Sequence, residues 1–336
     1  MTRIGIVGLG FMGKMHLETY RVIGGGAKVV AISDIDPKRA AGDLSGGWGN
    51  IAGAEGANQI EAKGTTDWRE LVAMSDVDLV DICVPTPQHP EIAIAALEAG
   101  KHVVCEKPLA RTSADAQRIA DAARKAKGFF MPAMCMRFWP QWAYLKSAVQ
   151  EKRYGKVLGA TFRRVSNTPA GWFRNGKDSG GALLDLHIHD TDFVNYVFGK
   201  PHAVFTRGYV EKTGNVDHVV TQYLYDHVPL VSAEGGWAMA DGFGFQMKYT
   251  VNFDSGTTLD FDLARGKDQL QLFRAGKSET IDCGDSHGYA GELGYMLDCI
   301  KQNKRPTTVT ADDAVSSIKI VEAEAKSLQS GQVTTV

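Results

Sequence analysis

The chain has 336 residues, more than one hydrophobic core usually fills, so two domains or one large α/β domain are expected. Thirty-seven Lys and Arg against 39 Asp and Glu leave a net charge of −2, which excludes a global positive field for holding nucleic acid or an anionic membrane surface. Hydrophobic residues at 44% and charged residues at 23% exclude collagen-like, coiled-coil and generally disordered chains, and no run reaches the ~18 apolar residues of a membrane helix.

The five cysteines, Cys83, Cys105, Cys135, Cys283 and Cys299, lack metal-ligand spacing and read as buried reduced thiols. Met1-Thr2-Arg3 runs directly into an apolar stretch with no secretory pattern, so a cytoplasmic location is expected.

Over the first 135 residues, short β-branched runs alternate with helix-like stretches, the pattern of βαβ units around a parallel sheet. Strands are expected at Ile4–Val7, Lys28–Ser33, Leu79–Val84, His102–Cys105 and Phe129–Ala133. Helices are expected at Met12–Ile23, Asp67–Met74, Pro90–Ala99 and Ser113–Lys127, the last capped by Ser113. Gly42 to Gly64 holds seven glycines and reads as a loosened helix or an inserted surface loop. Beyond about residue 155, Phe245 to Phe253, Leu259 to Leu263 and Leu270 to Leu272 alternate with period two, which predicts an antiparallel sheet with one buried face. Gly180 to Phe198, Ala290 to Lys301 and Ala311 to Leu328 read as helices. The fold class is therefore α/β: a Rossmann dinucleotide-binding domain over 1–135, then an α+β substrate and oligomerisation domain over 136–336 with a large, mostly antiparallel open sheet. The last helix is a candidate to pack back on the first domain, and the cleft is the default site.

Gly8-Leu9-Gly10-Phe11-Met12-Gly13 follows the first strand and opens a helix, the context in which G-x-G-x-x-G binds a dinucleotide. Gly8 serves the tight turn, Gly10 the approach of the pyrophosphate, Gly13 helix–strand packing, and the helix start offers free N–H groups. Asp34, 21 residues beyond Gly13, ends the second strand where a carboxylate accepts from an adenosine ribose hydroxyl and repels a 2′-phosphate. NAD is favoured over NADP, against the neighbouring Lys38 and Arg39.

At the chemical end, Lys107 leaves the C-terminal end of the strand His102–Cys105, stiffened by Pro108. Gly180 to Phe193 is the densest ionisable run. On a helix Asp185, His189 and Asp192 share a face within roughly 60°, while His187 lies near the opposite side. An Asp four residues before a His suits a general base. Metal ligation by the same groups is the lesser alternative, because i, i+2 histidines diverge. Trp172-Phe173-Arg174, Arg137-Phe138-Trp139 and His287-Gly288-Tyr289 combine an aromatic platform with hydrogen-bonding groups, as a polyol pocket requires. From these, Arg137, Trp172 and His287 are the substrate candidates.

The glycine fingerprint, Cys83-Val84-Pro85-Thr86-Pro87-Gln88-His89, Glu106-Lys107-Pro108 and Gly180-Gly181-Ala182-Leu183-Leu184-Asp185 through His189 together resemble the glucose-fructose oxidoreductase/inositol dehydrogenase/MocA family across nearly the whole chain. The resemblance implies an NAD-dependent oxidoreductase acting on a secondary hydroxyl of a sugar or cyclitol, with Lys107, Asp185 and His189 as catalytic residues. It places Pro85, Thr86 and His89 along the nicotinamide ribose and Glu106 at the same end, and Arg137 and Trp172 toward substrate. His187 stands where relatives often carry glycine. Some relatives cleave glycosides through transient oxidation by bound NAD, which is the alternative activity; a redox-regulated NAD-sensing protein is a third. The open sheet predicts a homo-oligomer, a dimer or tetramer.

Overall fold

The computed structural model describes residues 1–45 and 58–336. Much of the Gly42 to Gly64 stretch lies outside the described residues. The chain divides into two compact units, Met1–Cys135 with His287–Val315 and Met136–Ser286 with Ser316–Val336. The expected single boundary therefore needs correction, because the chain returns once to the first unit.

In the first unit, β1 (Thr2–Val7), β2 (Ala27–Ser33), β3 (Lys63–Thr65), β4 (Leu79–Ile82), β5 (His102–Glu106) and β6 (Phe130–Ala133) form one sheet in the order β3-β2-β1-β4-β5-β6. All neighbours are parallel. Ile4, Ile6, Val80, Ile82, Val103 and Val104 are fully buried, as expected of parallel strands covered by helices on both faces. The order reverses at β1/β4, the switch point where such sheets bind ligands at their C-terminal edge. Helices α1 (Phe11–Ile23), α2 (Pro37–Ala40), α3 (Trp68–Ala73), α4 (His89–Glu98) and α5 (Ser113–Lys125) connect the strands. The cap of α5 is Thr112, whose hydroxyl accepts from the Asp115 N–H, one residue before the expected Ser113.

In the second unit, α6 (Pro140–Gln150), α7 (Gly176–Ser179), α8 (Gly181–Asp185) and α9 (Ile188–Phe198) accompany a nine-stranded sheet. Its strands are β7 (Val157–Asn167), β8 (Ala203–Val210), β9 (Val216–Leu224), β10 (Leu230–Met239), β11 (Gln246–Phe253), β12 (Thr257–Asp262), β13 (Leu270–Arg274), β14 (Lys277–Thr280) and β15 (Thr334–Thr335). Their order is β14-β13-β12-β11-β7-β10-β9-β8-β15, antiparallel except at β7/β10. One register row, Thr221, Ala233, Phe162, Tyr249, Phe261 and Leu270, is buried on every strand. The indole of Trp142 from α6 meets Phe193, Tyr249 and Phe261 edge-on at centroid distances of 4.7, 5.3 and 6.0 Å. The adjacent row, Val220, Glu234, Arg163, Lys248 and Asp262, faces the other way and carries ion pairs of 2.8 Å at Arg163–Glu234 and Lys248–Asp262.

Two further helices follow, α10 (Gly288–Gln302) and α11 (Ala311–Ser330). Helix α10 packs on α1 and buries Leu293 and Met296, so α10 joins the first unit, and of the last helix only its opening residues Ala311–Val315 do. From Ser316 onward α11 belongs to the second. Among the described residues no helix is long and apolar enough to cross a membrane.

Candidate active site

The turn between β1 and α1 is built on glycine for steric reasons. Gly8 has φ +91°, and a Cβ there would meet the Cys83 carbonyl oxygen at 2.7 Å. A Cβ on Gly13 would fall 1.9 Å from the Gly8 carbonyl oxygen, whereas one on Gly10 would enter open space. The first intrahelical bond of α1 runs from the Lys14 N–H to Gly10, so the Phe11, Met12 and Gly13 amides precede the helical ladder. An open position over a helix start, with two flanking glycines locked in place, is a cradle fitted to a pyrophosphate.

Asp34 closes this loop. Its Oδ2 accepts from the Leu9 N–H at 2.7 Å and its Oδ1 from the Asp36 N–H at 2.9 Å, which leaves a second lone pair on each oxygen for ribose hydroxyls. Arg39 stands 3.8 Å from the same carboxylate. The residues present thus fit an adenosine dinucleotide.

After β4, Pro85 is half-buried and Thr86 is buried in the turn that leads to α4. His89 is buried as well. Its Nε2 lies 2.8 Å from the Val84 carbonyl oxygen and its Nδ1 2.9 Å from that of Pro108, so the ring braces the β4 turn against the Glu106-Lys107-Pro108 segment rather than presenting a free edge. Burial, opposed by the two carbonyls, pushes its pKa down. At the end of β5 the Lys107 N–H donates to Glu106 Oε2 at 3.0 Å, and the Lys107 side chain is half-buried.

Behind Glu106 lies a cluster that the sequence reading did not anticipate. His16 on α1 is completely buried, with Nδ1 2.9 Å from Asp81 Oδ2 and Nε2 3.0 Å from Glu106 Oε1. Burial works against its charge, yet Asp81 and then Cys83 outweigh that and raise its pKa well above the ordinary value. Glu292 of α10 is also fully buried, and neither of its carboxyl oxygens has a hydrogen-bond partner. Burial, reinforced by Glu106, raises its pKa well above the usual range. One signal of this cluster was readable: Asp81 is a charge in the middle of Leu79-Val80-Asp81-Ile82, an otherwise apolar central strand.

In the second unit the Gly180-Gly181 pair has φ +88° and +71°, and a Cβ on Gly181 would meet the Val216 carbonyl oxygen at 2.5 Å. The expected continuous helix is broken here. The Leu186 and His187 N–H groups both donate to the Ala182 carbonyl, at 3.0 and 2.8 Å, and this five-residue loop separates α8 from α9. Asp185 is the last residue of α8 and is buried, whereas His189 sits half-buried in the first turn of α9, so one uninterrupted helical face does not relate them.

The other ionisable groups of the run hold the unit together. Asp192 accepts from Arg137 Nε and Nη2 at 2.8 and 2.7 Å and from the Ser317 hydroxyl at 2.8 Å. Asp190 pairs with Arg164 at 2.8 Å. His187 is fully buried, 3.2 Å from the Tyr223 hydroxyl and 3.7 Å from Glu324.

The substrate candidates separate accordingly. The Arg137 guanidinium is 3% exposed, doubly bonded to Asp192 and stacked 4.5 Å over Tyr196, which makes it a brace inside the unit rather than an open ligand contact. Trp172 is half-buried in the turn Gly171–Arg174, its ring 4.5 Å from that of Phe173. His287, in the first unit, caps α10 through Nδ1. Among the described residues the side-chain groupings with metal-ligand proximity are His16/Asp81/Cys83 and His16/Glu106/Glu292, neither in the 180–193 run.

Known proteins point the same way as this geometry. Residues 2–134 match a model described as the oxidoreductase family with an NAD-binding Rossmann fold, and residues 142–259 match the GFO/IDH/MocA C-terminal domain. The chain is 35% identical over 229 residues to a myo-inositol 2-dehydrogenase of Thermotoga maritima, covering 65% of this chain and 63% of that protein. It is 34% identical over 218 residues to a levoglucosan dehydrogenase of Pseudarthrobacter phenanthrenivorans, covering 60% and 52%. The aligned chain thus spans between half and two-thirds of the length of those relatives. A levoglucosan dehydrogenase solved with NADH and levoglucosan superposes with a TM-score of 0.84 at 24% identity, over 100% of this chain and 99% of that one, which speaks to the fold. With both units matched by models of a single family, the chain belongs to the Gfo/Idh/MocA oxidoreductases.

Proposed function

We propose that this protein is an NAD-dependent dehydrogenase that oxidises a secondary hydroxyl of a sugar, sugar derivative or cyclitol to the ketone. The observation that carries this reading is the Gly8–Gly13 cradle with Asp34 bonded onto it, in a chain matched at both ends by one oxidoreductase family. Relatives named for myo-inositol and levoglucosan support a cyclic polyol as substrate.

When bound, NAD supplies the acceptor for the hydride that leaves the carbinol carbon. The remaining work belongs to side chains. His189 removes the hydroxyl proton as general base. Asp185 orients that ring and stabilises its cation. Lys107 hydrogen-bonds the reacting oxygen as negative charge develops, a contribution of about 3 kcal/mol when one such donor is removed. Asp34 holds the adenosine ribose and disfavours a 2′-phosphate. Trp172 supplies an apolar platform for a ring face, and His287 a polar contact. Copies associate through the sheet of the second unit, where Leu158, Val220 and Leu230 are exposed among ion-paired neighbours; light scattering after size exclusion reads the stoichiometry.

The test is a panel of cyclitols, sugars and anhydrosugars with NAD and with NADP, followed by reduced-nicotinamide absorbance. Formation of NADH with at least one polyol supports the reading. Cleavage of a glycoside with no net NADH, or preference for NADP, overturns it.

A further inference from the structure

The geometry points to His16 as a positioning residue for Lys107, acting through the Glu106 carboxylate. The inference rests on the role proposed above for Lys107 and extends it to a residue on a different element that touches neither substrate nor cofactor.

The chain of contacts is short and belongs wholly to the first unit. Asp81 Oδ2 fixes His16 Nδ1 at 2.9 Å, so the ring cannot rotate without losing that contact. Nε2 then faces Glu106 Oε1 as an ion-pair partner at 3.0 Å, without hydrogen-bond geometry, and the second oxygen of the same carboxylate accepts the Lys107 N–H at 3.0 Å. A carboxylate drawn to the imidazole through one oxygen turns the other toward the backbone where the chain leaves β5. On the far side of Lys107, His89 Nδ1 lies 2.9 Å from the Pro108 carbonyl oxygen. The residue is therefore anchored before and after its own Cα, and the anchor before it ends on His16.

All of this is buried: His16 and Asp81 are fully covered and Glu106 is 5% exposed. Three carboxyl groups surround one imidazole, from β4, β5 and α10. Burial shifts Glu292 toward its neutral form, and the imidazole lies directly against Asp81 and Glu106. A hydrophobic residue at position 16 would pack α1 on the sheet equally well but would leave two buried carboxylates without a counter-charge, a far costlier arrangement than the apolar one usual in such helices.

The two ring nitrogens can be separated chemically. His16→Asn places an amide near the position of Nδ1, toward Asp81. His16→Gln extends one to the position of Nε2, toward Glu106. Both are polar and differ by one methylene, so a general packing role predicts similar behaviour from the pair.

Hydrogen exchange at the Lys107 amide is measured first, on ligand-free protein. Protection is expected in the parent and in H16Q, with exchange at least ~10-fold faster in H16N if a bond worth about 1.4 kcal/mol is lost. Steady-state kinetics on myo-inositol, or on the best substrate of the panel, follow with NAD. H16N should lose ~100-fold in kcat with the KM for NAD changed less than about threefold, because a misplacement near 1 Å carries that penalty, and H16Q should recover most of it.

An unprotected Lys107 amide in the parent overturns the proposal. So do equal effects of H16N and H16Q on exchange and kcat, or a stoichiometric transition metal in purified parent protein that H16N lacks. If Lys107→Ala instead keeps full turnover while the exchange pattern holds, the role of Lys107 fails, and the geometric link to His16 is what survives.

Discussion

Arg137 looked like a substrate contact in the sequence and is a buried ion-pair partner in the structure, and the two roles have opposite experimental signatures. Asp192→Asn keeps the shape of the side chain but replaces one acceptor oxygen by an N–H group facing a guanidinium. It also takes the doubly bonded carboxylate away from the Arg137 charge, which is 3% exposed. Breaking a buried pair from one side costs about 3–5 kcal/mol. For a unit of this size each kcal/mol moves the melting temperature by about 2–4 °C, so a fall on the order of 10 °C is expected. Arg137→Met should be destabilising by a similar amount, since it strands Asp192, and the double replacement Arg137→Met with Asp192→Leu should recover most of the loss because both charges are gone. The assay is thermal unfolding followed by tryptophan fluorescence, to which the buried Trp142 and Trp237 of the same unit report. If Arg137→Met leaves the transition within about 1 °C of the parent and raises the substrate KM instead, the reasoning fails and Arg137 faces the ligand.

At the cradle, Gly10→Ala places a methyl in open space and should leave folding intact while weakening NAD by tenfold or more. Gly13→Ala drives a Cβ onto the Gly8 carbonyl and should destabilise the fold itself; equal melting temperatures for the two variants would refute this division. Asp34→Ala removes the acceptor for two loop amides as well as for ribose, so calorimetric titration should show NAD weakened by ~10–100-fold and NADP by less; equal losses would sink the assignment of its carboxylate to cofactor choice. Glu292 keeps in the folded chain a proton that the unfolded chain releases above its ordinary value of 4.5. Stability should therefore fall as pH rises past that point, by up to about 1.4 kcal/mol per pH unit until the folded carboxyl ionises. Glu292→Gln does not titrate there. Urea unfolding should show it gaining on the parent from about pH 4 to about pH 7, and a constant difference across that range would show that Glu292 is not held protonated.

What the sequence revealed depended on whether one residue's chemistry or a distant pair decided the outcome. Gly8 and Gly13 were legible because a Cβ there would meet a backbone carbonyl, and Asp34 because strand, loop, helix and strand follow one another directly. The alternation from Met247 to Phe253 was legible because each inward residue meets a neighbour in register on β7, whereas Phe245 precedes the strand and is exposed. Strand β3 was not: Lys63-Gly64-Thr65 is three residues at a sheet edge and carries no apolar pattern. The break before α9 has no Gly or Pro to announce it and becomes visible only in the Ala182 carbonyl shared by two amides. Arg137 misled because Trp139 and Phe138 stood beside it, while the carboxylate that claims it is 55 residues away. The return of His287–Val315 to the first unit is likewise set by which helix face finds α1, and the amphipathic pattern of α10 names a buried face without naming its partner.

The two units treat buried charge differently, and the difference bears on where chemistry can be controlled. In the second unit, Arg137 with Asp192 and Arg164 with Asp190 are closed pairs of one cation and one anion with their hydrogen bonds made. Such a pair has little net field beyond a few ångströms and little reason to respond to a ligand. In the first unit one imidazole lies against both Asp81 and Glu106, with Glu292 beside them, so the cluster has more acidic groups than basic ones. The cluster meets the C-terminal end of β5 at Glu106, whose carboxylate accepts the Lys107 N–H, so the buried acidic groups of the first unit adjoin the residue that carries the lysine.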